Sequence, residues 1–132
     1  MAADTLSAPS RRAFFRGALG AALVVISYLA FTPLDIPVAS GLNDKVSHIA
    51  AFLCLALLTD FSWPESPWNR TKFLSLMSYG LLIEIVQAFL PNRFFSLWDL
   101  AADALGLVSY ALVLPLLLRI SFFKSRRRRI RQ

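Results

Sequence analysis

The sequence predicts an all-α fold: a four-helix transmembrane bundle with both termini on the cytoplasmic side. Three observations predict it. The 132 residues are 57% hydrophobic with a mean hydropathy of +0.58, above the apolar share of a soluble domain. Charged residues make up 17% and are bunched, so long stretches lack the polar face that a soluble helix shows to water. Four apolar runs approach the ~20 residues that a helix needs to cross hydrocarbon, and each is bounded by charge or proline.

The first run, 17–32, carries no charge and stops before Pro33, a residue that cannot continue a helix. Ahead of it, Ser10-Arg11-Arg12-Ala13-Phe14-Phe15-Arg16 resembles a twin-arginine export signal. Val38-Ala39-Ser40 has the small residues of a weak cleavage site. That site lies several residues beyond a run already long enough to span, so an uncleaved first helix is expected. The second run, 46–63, contains His48 and Asp60 and stops at Pro64. The third, 73–90, contains Glu84 and stops at Pro91. The fourth, 99–118, carries charge in its first turns, and Pro115 is expected to kink it. Short links make sequential helices antiparallel neighbours. The chain thus divides into a basic flank (1–16), a four-span membrane domain (17–120) and a basic tail (121–132).

Loop arginines and lysines orient the bundle. Arg11, Arg12, Arg16, Arg70, Lys72, Arg119 and the tail residues Lys124, Arg126 to Arg129 and Arg131 fall on one side of a four-span chain. Lys45 and Arg93 fall on the other. The first side is read as cytoplasmic and the second as the outer face. The basic tail then touches anionic lipid, and no nucleic-acid partner is expected. Asp60, Glu65, Arg70 and Arg119 are expected at the inner interface, in reach of water, with Trp63, Trp68 and Trp98 near span ends. Gly17, Gly20, Ala21 and Ala22, and later Ala102, Gly106 and Ser109, are small enough to permit close helix contact. Cys54, a lone cysteine, reads as a packing residue.

The ionisable residues of the spans gather at the outer end. Asp44, Lys45 and His48 open the second run; Glu84 and Gln87 lie near the close of the third. Arg93 and Ser96 occupy the next link, and Asp99 and Asp103 open the fourth run. Charge near hydrocarbon is costly and marks a candidate functional site. Asp44 and His48 are spaced i, i+4 and share a helix face, which Phe52 continues. Asp99, Asp103, Gly106 and Tyr110 line another. Glu84 lies about 10 Å deeper than Pro91 at ~1.5 Å per residue. Four carboxylates face Lys45 and Arg93, a formal surplus of negative charge that a protonated carboxyl, a protonated His48 or a bound cation would offset.

These residues support several readings. His48 with Asp44, Glu84 and Asp99 would ligate a divalent metal; no other cofactor is expected. A membrane enzyme acting on lipid phosphates or acyl groups would use His48 or Glu84 as general base and Arg93 as anion clamp. A non-catalytic accessory subunit would use the same residues structurally, with Arg93 paired to Asp99 and Asp44 to His48. The sequence assigns no catalytic residue.

Asp44-Lys45-x-x-His48 with Phe52, then Glu84-x-x-Gln87 with Pro91, Arg93 and Ser96, then Asp99, Asp103 and Gly106 resemble the VanZ-like family of small bacterial membrane proteins. The likeness covers residues 42–106, and the family pattern favours Asn where this chain has Asp103. It implies a multi-pass protein of the bacterial cytoplasmic (inner) membrane with a cell-envelope role. The family takes its name from a protein of teicoplanin-type glycopeptide antibiotic resistance. The expected partners are membrane lipid, a lipid-linked cell-wall intermediate or a lipoglycopeptide; a homo-oligomer is compatible with this reading.

Overall fold

The computed structural model describes residues 8–32 and 41–119. The small-residue site at 38–40 and the basic tail lie outside these residues. Four helices follow one another: α1 (Ala8–Phe31), α2 (Gly41–Ser62), α3 (Arg70–Gln87) and α4 (Leu97–Leu117), with no strand among the described residues. α1 begins ahead of the apolar run and takes in Arg11, Arg12 and Arg16. Arginine is a good helix former, so nothing stops the helix there.

Local chemistry sets the remaining boundaries. The Asn69 side chain caps α3 by accepting from the Lys72 amide at 3.1 Å. The Ser96 hydroxyl does the same for α4 through the Asp99 amide at 3.2 Å. Each bond satisfies a donor that the helix leaves without a partner. α3 closes at Gln87, three residues before the expected end of the third run, and Ala88 to Leu90 form turn. The link then passes through Asn92 at φ 59°, a left-handed conformation that asparagine tolerates better than most residues. α4 continues through Pro115 to Leu117.

Cross-helix bonds show that the helices alternate in direction. At one end the close of α3 meets the close of α1, through Gln87 Nε2 and the Ala30 carbonyl at 3.0 Å. At the other end the start of α1 meets the close of α2, through Arg16 Nε and the Ser62 carbonyl at 3.2 Å. α2 packs against all three other helices. It supplies Phe52, Leu55 and Ala56 to a core completed by Leu19, Leu76, Leu107 and Tyr110. Between these ends the Tyr79 hydroxyl of α3 donates to the Leu23 carbonyl of α1 at 3.1 Å.

Two glycines permit close approach. A Cβ on Gly106 would lie 2.5 Å from the Ile49 carbonyl oxygen and 3.1 Å from the Leu53 amide, so α4 rests directly on the α2 backbone. A Cβ on Gly80 would lie 2.6 Å from Asp103 Oδ2 and 3.0 Å from the Phe52 ring. Gly17 and Gly20 behave otherwise than expected: among the described residues nothing lies within 4 Å of their Cβ positions.

The outward faces are apolar. Val24 and Val25 on α1, Leu74 and Leu82 on α3, and Leu105, Leu112 and Leu116 on α4 are exposed. Among the described residues, three helices are long and apolar enough to cross a membrane: Pro9–Phe31, Asn43–Ser62 and Leu97–Leu117. The expected third span falls short by the same measure, because α3 has 18 residues and bears Arg70, Lys72 and Glu84.

The end formed by the close of α2 and the start of α3 also departs from expectation. Asp60, expected in reach of water, is 0% exposed, and Lys72 is 7% exposed. The Lys72 ammonium donates to Asp60 Oδ1 at 2.8 Å and to the Trp63 and Ser66 carbonyls at 3.0 and 2.7 Å. The Tyr110 hydroxyl donates to Asp60 Oδ2 at 2.5 Å. Trp68 packs edge-on against Tyr110 with ring centroids 5.0 Å apart, because the α2–α3 loop folds inward over the ion pair.

Candidate functional site

The opposite end of the bundle carries the candidate site. Lys45 and His48 on the first turns of α2 face Asp99 and Asp103 on the first turns of α4. The Lys45 ammonium forms an ion pair with Asp99 and meets Asp44 Oδ2 at 3.3 Å. His48 Nδ1 lies 2.8 Å from Asp103 Oδ1. An ionised carboxylate only accepts, so Nδ1 then carries a proton, and in the neutral ring Nε2 keeps its lone pair. Glu84 reaches the same region from α3, fully buried. Its Oε2 accepts from the Ser96 amide at 2.8 Å, while Oε1 has no hydrogen-bond partner among the described residues.

The structure thus brings together Asp44, Lys45, His48, Glu84, Ser96, Asp99 and Asp103. It directs Gln87 and Arg93 elsewhere. Gln87 holds the Ala30 carbonyl, and Arg93 donates to the Thr32 carbonyl at 3.5 Å without an ion pair among the described residues. The last carbonyls of a helix have no partner within it and attract donors. Lys45 takes the place expected for Arg93 beside Asp99. Asp103 takes the place expected for Asp44 beside His48, because its side chain projects from α4 straight onto α2. Phe52, 2% exposed, and Gly80 lie beneath Asp103 and fix its position.

One ligand atom each from Asp44, His48 and Asp99 lies within 4.8 Å of the others. Glu84, read from the sequence as a fourth metal ligand, stands outside this trio, although it interacts electrostatically with His48, Asp103 and Lys45. Large apolar side chains are exposed at the same end: Phe89 (84%), Phe94 (85%), Leu97 and Trp98 (78%).

The sequence reading missed the Asp60–Lys72–Tyr110 network. The available signal was a pair of opposite charges, each near a helix end and flanking one short loop.

No family model matches the chain, and no solved structure matches it. It is similar to a fission-yeast protein, the uncharacterized protein C11E3.10 of Schizosaccharomyces pombe, at 36% identity over 113 residues. That alignment covers 83% of this chain and 64% of the relative, so the chain spans less than two thirds of the relative's length. These findings correct the expected VanZ-like assignment: no family model supports it, and the similar protein is eukaryotic. The bacterial inner membrane and the teicoplanin connection rested on that resemblance and have no support of their own.

Proposed function

We propose that this chain is a multi-pass membrane protein that receives the headgroup of a membrane amphiphile in the polar pocket between α2, α3 and α4. The observation that carries the reading is the convergence of charged side chains from three helices beside Phe89, Phe94, Leu97 and Trp98, all exposed at the same end. Trp98 suits the headgroup level of a bilayer, so the pocket would open where headgroups lie. In this reading α3 also crosses the membrane. Its basic residues, Arg70 and Lys72, lie in its first turn, and Glu84 is buried against protein. The positive flank residues Arg11, Arg12, Arg16 and Arg70 support a pocket on the face away from the cytoplasm. Arg93 is turned to α1 at the rim of this end rather than into the pocket; its guanidinium donors beyond the bond to Thr32 among the described residues would take the anionic group from that rim.

Native mass spectrometry of the purified protein tests this reading, with phosphatidylglycerol and uncharged diacylglycerol as probes. Wild type is expected to retain the phospholipid selectively, Arg93→Ala to lose that selectivity, and Glu65→Gln to keep it. Equal retention of both lipids, or no effect of Arg93→Ala, would refute the reading.

One observation favours a second reading, an enzyme acting on lipid phosphates or acyl groups. A buried carboxylate against Nδ1 holds His48 as a general base is held, with Nε2 free to take a proton. Release of phosphate or fatty acid from lipid by wild type and not by His48→Ala would support it.

A further inference from the structure

The pocket holds more negative charge than its own cations offset. Among the described residues, Asp44, Glu84, Asp99 and Asp103 meet one fixed cation, Lys45, since Arg93 is turned to α1. An anionic headgroup would add to that charge. Three details point to what relieves it. The first is the trio of Asp44, His48 and Asp99, whose ligand atoms lie within 4.8 Å of one another. The second is the bond between His48 Nδ1 and Asp103, the arrangement by which metal-ligating histidines are oriented through their other ring nitrogen. Nε2 makes no hydrogen bond among the described residues.

The third is Glu84. Its Oε2 is fixed by the amide of Ser96, the residue whose hydroxyl caps α4 at Asp99. Its Oε1 is fully buried and without a hydrogen-bond partner among the described residues. A buried acceptor in that state costs stability unless a ligand or water meets it.

We propose that Asp44, His48 and Asp99 form the binding site of a divalent first-row transition cation, with Asp103 orienting His48 and Glu84 Oε1 offering a further acceptor below. One imidazole and two carboxylates suit zinc, manganese or iron, whereas calcium and magnesium favour all-oxygen shells. Lys45 is the tethered competitor. Its ammonium bridges Asp44 and Asp99 and keeps them together until a cation displaces it. A cation so held would also attract the phosphate of a headgroup, so the site complements the headgroup reading, and it rests on that reading only in sharing its pocket.

The test uses the purified full chain in detergent, stripped with chelator and titrated with Zn²⁺ alone by calorimetry, then with Co²⁺ followed by visible absorption. Wild type is expected to bind a single Zn²⁺ per chain, and His48→Ala and Asp99→Asn to lose that binding. Asp103→Asn should weaken it about 10–100-fold, as loss of an orienting carboxylate does. Because loss can follow from misfolding, Lys45→Ala decides: removal of the competing ammonium should tighten binding, and a misfolded site cannot bind more tightly. Absence of saturable Zn²⁺ binding, indifference to His48→Ala, or weaker binding in Lys45→Ala overturns the proposal. Phospholipid retention without Zn²⁺ binding would remove the cation site and leave the headgroup reading in place; the reverse result would do the opposite.

Discussion

Lys72 uses all three protons of its ammonium group inside the protein, on one carboxylate and two loop carbonyls. Asp60 in turn accepts from both Lys72 and Tyr110. Such a pair is stable because nothing in it is left over. Lys72→Ala is expected to cost about 3–5 kcal/mol, the penalty of leaving a buried charge without its partner. Removal of both charges, as Lys72→Met with Asp60→Asn, should recover part of that loss; chemical unfolding in detergent measures both. At the pocket end, helical spacing alone grouped Asp44, Lys45, His48, Asp99 and Asp103, since i, i+4 residues share a face. Who pairs with whom was not legible. Lys45 reaches Asp99, and His48 reaches Asp103, across a gap between helices whose width depends on packing. Gln87 and Arg93 went to the carbonyls closing α1, partners that exist only once α1 and α3 lie side by side.

Among the elements, α2 and α4 make the tightest pair, and Gly106 is the reason. A methyl group there would fall 2.5 Å from a backbone carbonyl, which cannot rotate away as a side chain can. Gly106→Ala should cost about 1–3 kcal/mol, typical of overpacking a filled core. It should also weaken the pocket, because Asp103 sits one turn before Gly106 on the same helix. Gly20→Ala, with open space at its Cβ position, should leave the unfolding midpoint nearly unchanged. The sequence marked all of these glycines alike, because what lies opposite a glycine is a property of the assembled bundle. Helix number and order were legible from hydropathy and proline. The ends of α1 and α3 were not, since they depend on helix propensity and on an asparagine cap outside the apolar runs.

For the whole molecule, the alternating helix directions separate Asn43 from Glu65, both exposed and at opposite ends of α2. In a Cys54→Ser background, Asn43→Cys and Glu65→Cys are expected to react with an impermeant thiol reagent from opposite sides of a sealed vesicle. Labelling of both from one side would contradict a membrane-crossing α2. The two ends of the bundle differ in a further respect. The Asp60–Lys72 pair resembles a rivet: the ammonium and both carboxylate oxygens are matched. The Glu84 end resembles a socket, with an acceptor kept inside protein and left unmet among the described residues. A socket is a standing cost in the unliganded protein, and selection for stability alone would have filled it. Glu84→Gln, which keeps the acceptor for Ser96 and discards the charge, should therefore raise the melting temperature of the unliganded protein while lowering its affinity for whatever the socket receives. A protein that becomes sturdier when a buried acid is removed has been holding that acid for a purpose other than folding.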